Sequence, residues 1–286
     1  MRLLDLYCGA GGAAVGYNRA GFDEIVGVDV VAQKHYPFTF VQADAFEYLA
    51  EHWHEFDAFH GSPVCKGYSV MNNLPWLRGR EYPLHILPLR EAFNAIGKPY
   101  VIENVMGARY GAKGLAKRGL ESHGMQAGWL CGLMFGLPLY RHRLFETNWP
   151  WLAPGHPKHT LNLHPRSERW VYGGTVKGLP GGMAGVDAKP RLVEHATIKT
   201  RSELRDERKR PHPTERLPRT NGRDTLASWQ QGNGAQAAGV GVGHAKGWRI
   251  AAEAMGVEWM DREGTTQAVP PCYTEFVGRC LLQWAS

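Results

Sequence analysis

The chain has 286 residues, of which 43% are hydrophobic and 21% charged, and it carries a net charge of +6 at neutral pH. It contains no apolar run long enough for a transmembrane helix, and the acid at its fifth residue does not fit a secretory signal. The composition is ordinary for a globular protein, so membrane and secreted proteins are excluded and we expect a cytoplasmic protein.

The five cysteines do not have the spacing of a disulfide framework or a structural zinc site, because their number is odd and no Cys-x-x-Cys pair occurs. We expect free thiols and no bound metal. Most of the positive charge lies in the middle of the chain, where residues 151–240 contain 15 Lys and Arg and 8 Asp and Glu. This segment favours a polyanionic partner such as nucleic acid, although a solvated insertion has the same composition.

Short apolar runs alternate with helix-length segments in the first third of the chain. This pattern predicts a parallel, doubly wound α/β sheet, in which ligands bind beyond the carboxyl ends of the strands. A helix is expected at about residues 13–20. The predicted strands are residues 3–6, 24–29, 40–44, 56–60 and 100–105.

The composition changes after about Trp149, where Gly, Pro, His and Arg dominate and periodicity is weak. Regular patterns return near residue 243, with predicted helices at residues 248–255 and 273–284. We therefore predict three regions. They are a catalytic cofactor-binding domain at 1–148, a basic target-recognition region at 149–244, and a C-terminal return to the catalytic domain at 245–286.

A glycine-rich turn follows the first predicted strand, at residues 7–12 (Tyr-Cys-Gly-Ala-Gly-Gly). Such a turn lets the backbone approach a ligand closely at a helix N-terminus. Asp29, at the end of the second strand, is placed to accept hydrogen bonds from ribose hydroxyls. Asp44, at the end of the third, is placed to accept from an adenine amino group. The alternative is that Asp5, Asp29 and Asp44 are solvated loop carboxylates.

Cys65 lies in a Gly/Pro/Ser-rich loop after the fourth predicted strand. A lone cysteine is usually a small buried hydrophobe, but this loop displays the residue rather than packing it. The neighbouring Lys66 would favour the thiolate, which predicts a nucleophile.

Glu103 follows an apolar run at the end of the fifth predicted strand. A carboxylic acid at this position can donate to a ring nitrogen of a base, or it can be a structural acid paired with an arginine. Arg141 and Arg143 alternate in the sequence Tyr-Arg-His-Arg and can anchor an anion or a base carbonyl. For this segment alone, a solvated edge strand is the favoured alternative.

In chain order, these motifs resemble those of the DNA (cytosine-5) methyltransferases. That family opens on a motif like residues 5–12 and continues with a Pro-Cys loop, a Glu-Asn-Val triplet and an Arg-x-Arg segment. A variable recognition region follows, and residues 267–271 (Gln-Ala-Val-Pro-Pro) resemble the family's closing motif. The resemblance covers about residues 1–148 and 245–286.

The resemblance implies a Rossmann-like methyltransferase sheet with a small irregular or β target-recognition module. It implies that a cytosine is flipped out of DNA, that Cys65 attacks its carbon 6, and that Glu103 binds ring nitrogen 3 and the amino group. Arg143, with Arg141, would steady the base carbonyl and the loop. Carbon 5 would then take the methyl group, and loss of its proton would release the cysteine.

The same resemblance implies S-adenosylmethionine as the cofactor. Asp29 would hold its ribose and Asp44 its adenine, while the glycine-rich turn would line it. The residues implied in cofactor binding are Asp5, Tyr7, Gly9, Ala10, Gly11, Asp29, Val30, Asp44, Ala45, Pro63, Lys66, Gln267 and Ala268.

Three residues depart from the family pattern. Val64 stands where the family has a second proline, Lys66 where it has glutamine, and Gln267 where it has asparagine. Ordinary divergence is the favoured explanation. A sharper hypothesis is that Lys66 pairs with carboxy-S-adenosylmethionine and permits carboxymethyl transfer.

The basic middle region is expected to recognise the target, with most arginines on phosphates and a few on guanine edges. Trp170 and Tyr172 either pack a small β core, which is favoured, or fill the gap left by a flipped base. The candidate arginines are Arg166, Arg169, Arg191 and Arg201.

Three functions remain open. We favour a monomeric phage or bacterial enzyme that modifies double-stranded DNA. The second is the same chemistry on transfer RNA. The third is a DNA-binding protein without catalysis, against which the presence of Cys65, Glu103 and both arginines argues.

Overall fold

The computed structural model of the chain describes residues 1–69, 80–110, 125, 127–137, 139, 141–157, 168–171, 174–177 and 248–286. By its contacts the chain divides into two compact units. The first combines residues 1–157 with residues 240–286, and the second comprises residues 158–239. Within the described part of the chain, none of the helices has the length and apolar character required to span a bilayer.

A seven-stranded sheet forms the centre of the first unit, with the order β3-β2-β1-β4-β5-β7-β6. Strands β1 to β5 are parallel to one another, whereas β7 is antiparallel to both β5 and β6. The predicted doubly wound α/β fold is confirmed. The strands are β1 (Arg2–Leu6), β2 (Glu24–Asp29), β3 (Thr39–Gln42), β4 (Ala58–Gly61), β5 (Tyr100–Val105), β6 (Gly128–Leu130) and β7 (Arg143–Thr147).

Helices lie along the chain between and after these strands. They are α1 (Gly12–Ala20), α2 (Ala45–His52), α3 (Ile86–Ile96), α4 (Trp248–Met255), α5 (Arg262–Gln267) and α6 (Pro271–Ala285). In the second unit, the described backbone forms a two-stranded antiparallel sheet from β8 (Glu168–Val171) and β9 (Gly174–Lys177).

Two sequence predictions for the sheet were wrong in detail. The third strand ends at Gln42 rather than residue 44, because Asp44 caps the next helix. The fourth begins at Ala58 rather than residue 56, because residues 53–55 form a 3-10 turn. Strands β6 and β7 were not predicted. The solvated edge strand considered for Arg141 and Arg143 is not found, since β7 lies between β5 and β6.

Side chains of the parallel strands alternate between two buried clusters. Leu4 and Leu6 pack into the cluster that includes α3, whereas Leu3 packs into the cluster that includes α1 and α6. Alternation of this kind buries both faces of the sheet and leaves the strand ends for polar residues.

Helix α1 approaches the C-terminal segment closely at two of its glycines, with Gly12 against residues before α6 and Gly16 against α6 itself. A Cβ atom on Gly12 would lie 2.5 Å from the carbonyl oxygen of Val269, and one on Gly16 would overlap Thr274 and Pro271. The Thr274 hydroxyl donates to the carbonyl of Ala13 at 2.9 Å. This contact holds the C-terminal segment against the helix that follows the glycine-rich turn.

Gly16→Ala is therefore expected to destabilise the chain by about 2 kcal/mol or more, because overpacking outweighs the better helix propensity of alanine. Chemical denaturation measures the change in the free energy of unfolding. Gly155→Ala is the matched control, since a Cβ atom there meets nothing within 4 Å. Equal stability of the two variants would contradict close packing of α1 on α6.

Candidate active site

The glycine-rich turn between β1 and α1 is built from residues with positive φ. Tyr7 has a φ of 55°, Gly9 of 49° and Gly11 of 87°. A non-glycine residue rarely adopts such a conformation, so the surrounding structure holds Tyr7 in it. A Cβ atom on Gly9 would meet nothing within 4 Å, so the turn has an open side at this residue.

Asp29, at the end of β2, fastens this turn to the sheet. Its carboxylate accepts hydrogen bonds from the backbone N–H of Gly9 at 3.1 Å and of Val31 at 2.9 Å. Val30, directly after Asp29, is 60% exposed, which is unusual for a large apolar side chain beside a strand end.

Asp5 and Gly11 are not on the open side of the turn, although both were predicted to bind the cofactor. Asp5 is fully buried, and the Tyr36 hydroxyl donates to its carboxylate at 3.1 Å. The space that a Cβ atom of Gly11 would need is filled by Pro37 and Tyr36, and Gly27 is likewise covered by the Tyr36 ring. Asp5 and Gly11 therefore support the turn from its buried side. The contact partner of both is Tyr36, which the sequence analysis did not single out.

Burial raises the pKa of Asp5 to about 8, the Tyr36 hydrogen bond opposes this shift, and Asp29 adds to it. Native Asp5 thus keeps a proton that the unfolded chain loses near pH 4. The stability contributed by this proton is full below about pH 4 and is lost as pH rises towards 8. Asp5→Asn should become more stable relative to the unmodified chain between pH 5 and pH 8, measured by thermal denaturation at both values. Parallel pH dependence in the two proteins would contradict the shift.

Asp44 caps the N-terminus of α2 rather than ending a strand. Its carboxylate accepts from the backbone N–H of Phe46 at 2.8 Å and of Glu47 at 3.2 Å. Ala45, the first residue of α2, is buried. Asp44 still follows β3 at the same edge of the sheet as Asp29, so its carboxylate belongs to the polar rim of that edge.

These features fit a nucleoside-containing cofactor. The glycine turn leaves an open approach at Gly9, a carboxylate follows β2 at Asp29, and the apolar Val30 stands exposed beside it. Backbone approach, a carboxylate for hydroxyl groups and an apolar contact for a base are the groups that such a ligand needs.

The loop after β4 is held in place from β5. The side-chain amide of Asn104 donates to the carbonyl of Pro63 at 2.8 Å, and Asn104 is 1% exposed. The backbone N–H of Ser62 donates to the carbonyl of Leu6 at 3.1 Å. The loop thus carries Cys65 next to β1 and β5, with its side chain partly exposed.

Burial raises the pKa of the Cys65 thiol, and three charged side chains act on it. Arg143 lowers the pKa, Glu103 raises it and Arg141 lowers it. The structure therefore brings the four predicted catalytic residues into one electrostatic group. Arg143 and Arg141 are thus two cations that favour the thiolate and that the sequence analysis did not assign to this role, while the prediction for the exposed Lys66 stays a prediction.

Glu103 and Arg143 form an ion pair across β5 and β7. In the antiparallel register Val105 lies opposite Arg143, so Glu103 is its diagonal neighbour on the same face. Glu103 Oε1 lies 2.9 Å from Arg143 Nε, but this oxygen is buried and accepts no well-directed hydrogen bond. Burial raises the pKa of Glu103, while Arg143, Arg141 and Ser62 lower it. The raised pKa eases the protonation that Glu103 needs before it can donate to a ligand.

Arg141 joins this group to the C-terminal segment. It is 3% exposed, and its guanidinium donates to the carbonyl of Thr266 at 2.8 Å. The hydroxyl of Tyr273 donates to the backbone carbonyl of Arg141 at 2.5 Å. Burial, with help from Arg143, lowers the pKa of Arg141 to about 9. Its Nε has no hydrogen-bond acceptor.

The predicted closing motif reaches the glycine-rich turn. Trp259 donates to the carbonyl of Ala10 at 2.9 Å, and Ala268 is buried beside Gly12. Gln267 is exposed, and its side chain donates to Glu263 at 3.2 Å.

A buried chain of hydrogen bonds leads to Glu103 along the face of the sheet that α1 covers. Tyr17 OH lies 2.9 Å from His60 Nδ1, His60 Nε2 lies 2.9 Å from Ser62 Oγ, and the Ser62 hydroxyl bonds to Glu103. Burial lowers the pKa of His60 to about 3, so the ring is neutral at physiological pH. If Ser62 donates to Glu103, then Nε2 carries the proton of His60. The sequence analysis did not predict this series of hydrogen bonds. The signal for it was His60, a polar residue inside a buried strand.

The candidate arginines at 166, 191 and 201 and the predicted Tyr172 lie outside the described residues, and only backbone is described at positions 169 and 170.

No protein-family model matches the chain. It is 29% identical to the type II methyltransferase M.FnuDI of Fusobacterium nucleatum over 128 residues, which are 43% of this chain and 36% of that protein. The match therefore spans little more than a third of the relative's length.

Among solved structures, a candidate DNA modification methyltransferase encoded within an Escherichia coli prophage aligns over 99% of both chains, with a TM-score of 0.53 and 16% identity. This likeness shows a shared fold. The Entamoeba histolytica methyltransferase EhMeth aligns over 57% of this chain and 58% of its own at 14% identity, with a TM-score of 0.39 that is too low to carry weight. The comparisons confirm the Rossmann-like α/β fold and show a resemblance to DNA methyltransferases, while cytosine-5 specificity stays a prediction.

Proposed function

We propose that this chain transfers a methyl group from S-adenosylmethionine to carbon 5 of cytosine in double-stranded DNA through a covalent Cys65 adduct. The observation that carries the proposal is the convergence of Cys65, Glu103, Arg143 and Arg141 in one electrostatic group. These residues come from three separate parts of the chain. A thiol, a buried carboxylic acid and two guanidinium groups are what addition to a pyrimidine ring requires.

The cofactor, when bound, supplies an electrophilic methyl group. Gly9, Asp29 and Val30 would hold it by backbone approach, a carboxylate and an apolar contact. Asn104, by fixing Pro63, would set the distance between the Cys65 loop and this part of the sheet. The residues implied in holding the cofactor therefore lie along the same strand ends as the thiol.

The thiolate of Cys65 forms a bond to carbon 6 of the flipped cytosine, the electron pair of the 5,6 double bond moves into the 4,5 bond, and that of the 3,4 double bond moves onto ring nitrogen 3. Glu103 donates to ring nitrogen 3 and stabilises the charge that develops there. Arg143 holds Glu103 in position and favours the thiolate. The 4,5 electron pair would then form the bond from carbon 5 to the methyl carbon, whose former bond to the cofactor sulfur breaks with its electron pair left on that sulfur. Solvent water takes the proton from carbon 5, the 5,6 double bond re-forms, and the Cys65 thiolate leaves carbon 6. Ring nitrogen 3 returns its proton to Glu103.

Mechanism-based trapping tests the proposal. Duplex DNA containing 5-fluorocytosine is incubated with the chain and S-adenosylmethionine, and the product is separated under denaturing conditions. The fluorine cannot leave as a proton does, so the adduct persists. We expect a covalent complex with the unmodified chain and with Cys280→Ser, and none with Cys65→Ala. A complex that survives Cys65→Ala refutes the role of Cys65.

Two further measurements separate the alternatives. Transfer RNA containing 5-fluorocytidine, used in parallel, shows whether RNA rather than DNA is the substrate. Nucleoside mass spectrometry of treated DNA, with either S-adenosylmethionine or its carboxylated form supplied, identifies the transferred group. Absence of a covalent adduct on both nucleic acids, with binding to DNA retained, would favour a binding protein without catalysis.

A further inference from the structure

Three metal-binding side chains meet at the β6–β7 edge of the sheet. The Sγ atom of Cys131 and one ring nitrogen each of His142 and His156 lie within 4.8 Å of one another. The pairing of Leu130 with Arg143 explains the first two, since Cys131 directly follows β6 and His142 directly precedes β7. His156 follows β7 and returns to the same place.

The rings of the two histidines pack together against one tryptophan. The Trp129 ring centroid lies 5.2 Å from that of His142 and 4.7 Å from that of His156, and the two histidine rings are 5.5 Å apart. Cys131 is fully buried, whereas both histidines are accessible from solvent. Backbone groups of Leu133, Arg141 and Gly132 hydrogen-bond the thiol. An ion arriving from solvent would thus meet the imidazoles first and the thiol behind them.

We propose that Cys131, His142 and His156 bind a zinc ion, with water as the fourth ligand. Thiolate and imidazole are the ligands that zinc prefers, at about 2.3 Å and 2.0 Å in a tetrahedron. Ligand atoms in such a site are about 3.5 Å apart. Here they lie within 4.8 Å of one another, so side-chain movements of about 1 Å would close the cluster around the ion. The expectation of no bound metal rested on short sequence spacing, whereas strand pairing brings these three ligands together.

The ion would fix a segment that also carries the arginines of the candidate active site. His142 lies between Arg141 and Arg143, and His156 is the last of the three ligands before the chain passes to the second unit at residue 158. A metal here would tie the start of β7 to the residues that follow it. The assignment of the site does not depend on the proposed function.

Metal analysis tests this site directly. The full-length chain is loaded with zinc, dialysed against metal-free buffer, and analysed for zinc and copper by mass spectrometry. We expect about one zinc per chain, and at least tenfold weaker zinc binding by Cys131→Ser and by His156→Ala in a competition with a chromogenic chelator. Cobalt substitution should give a thiolate-to-cobalt charge-transfer band that Cys131→Ser abolishes.

Cys280→Ser and His54→Ala are the matched controls, since they remove a cysteine and a histidine outside the cluster. Both should retain zinc. His156→Ala keeps the test valid if Cys131→Ser does not fold, because His156 lies near the surface. The assignment is overturned if the unmodified chain retains no zinc or retains copper instead. It is also overturned if the cluster variants and the control variants retain the same amount of zinc.

Discussion

Cys65→Ala is expected to lower the rate of cytosine methylation by at least about 10³-fold, because no other group replaces a covalent nucleophile. The side chain is small and partly exposed, so the free energy of unfolding should change by less than about 1 kcal/mol. Transfer of a radioactive methyl group to DNA measures the rate, and chemical denaturation measures the stability.

Cys280→Ala is the control for loss of a thiol elsewhere in the fold. It lies on α6, outside the electrostatic group around Cys65, and should leave the rate unchanged. If Cys65→Ala retained a tenth or more of the activity, with its stability intact, the covalent mechanism would have to be abandoned.

Glu103→Gln is expected to lower kcat by about 10²- to 10⁴-fold, because an amide can donate a hydrogen bond to ring nitrogen 3 but cannot transfer a proton. The variant should have a second effect on the free protein. Since Glu103 raises the pKa of the Cys65 thiol, its removal lowers that pKa and increases the thiolate fraction at a given pH. Alkylation of Cys65 by iodoacetamide should therefore become faster.

Arg143→Leu provides the opposite case. Arg143 lowers the pKa of the Cys65 thiol, so its loss should raise that pKa and slow alkylation. The pH profile of the alkylation rate, with the modified residue identified by mass spectrometry, distinguishes the two variants. A shift of both profiles in the same direction would show that the charges of Glu103 and Arg143 do not act on Cys65.

The parallel half of the sheet could be predicted because each of its strands is a short apolar run followed by a turn or a polar residue. Leu3 to Leu6 and Tyr100 to Val105 are such runs, and buried parallel strands have this composition. The order of the motifs gave the four catalytic candidates, of which Cys65 follows a parallel strand and Glu103 lies near the end of one, whereas Arg141 and Arg143 lie just before and at the start of β7. Strand β7 has a polar residue at both ends and inside it, so its period did not distinguish it from a solvated segment.

Contacts that depend on strand order could not be predicted from the chain. The pairing of Glu103 with Arg143 requires β7 to lie beside β5, and the sequence does not state which strands become neighbours. Tyr36 is a second case. Its contacts with Asp5 and Gly27 follow from the path of the chain between β2 and β3, where its sequence neighbours show no periodicity.

The packing of α6 on α1 also governs the order in which this protein folds during synthesis. The ribosome makes α1 early, but its partner helix appears only after residues 158–239 have been added. About 250 residues separate α1 from α6, so at about 5–20 residues per second the apolar face around Tyr17 waits about 10 to 50 seconds for its cover. The nascent chain therefore exposes this apolar surface until α6 has been made.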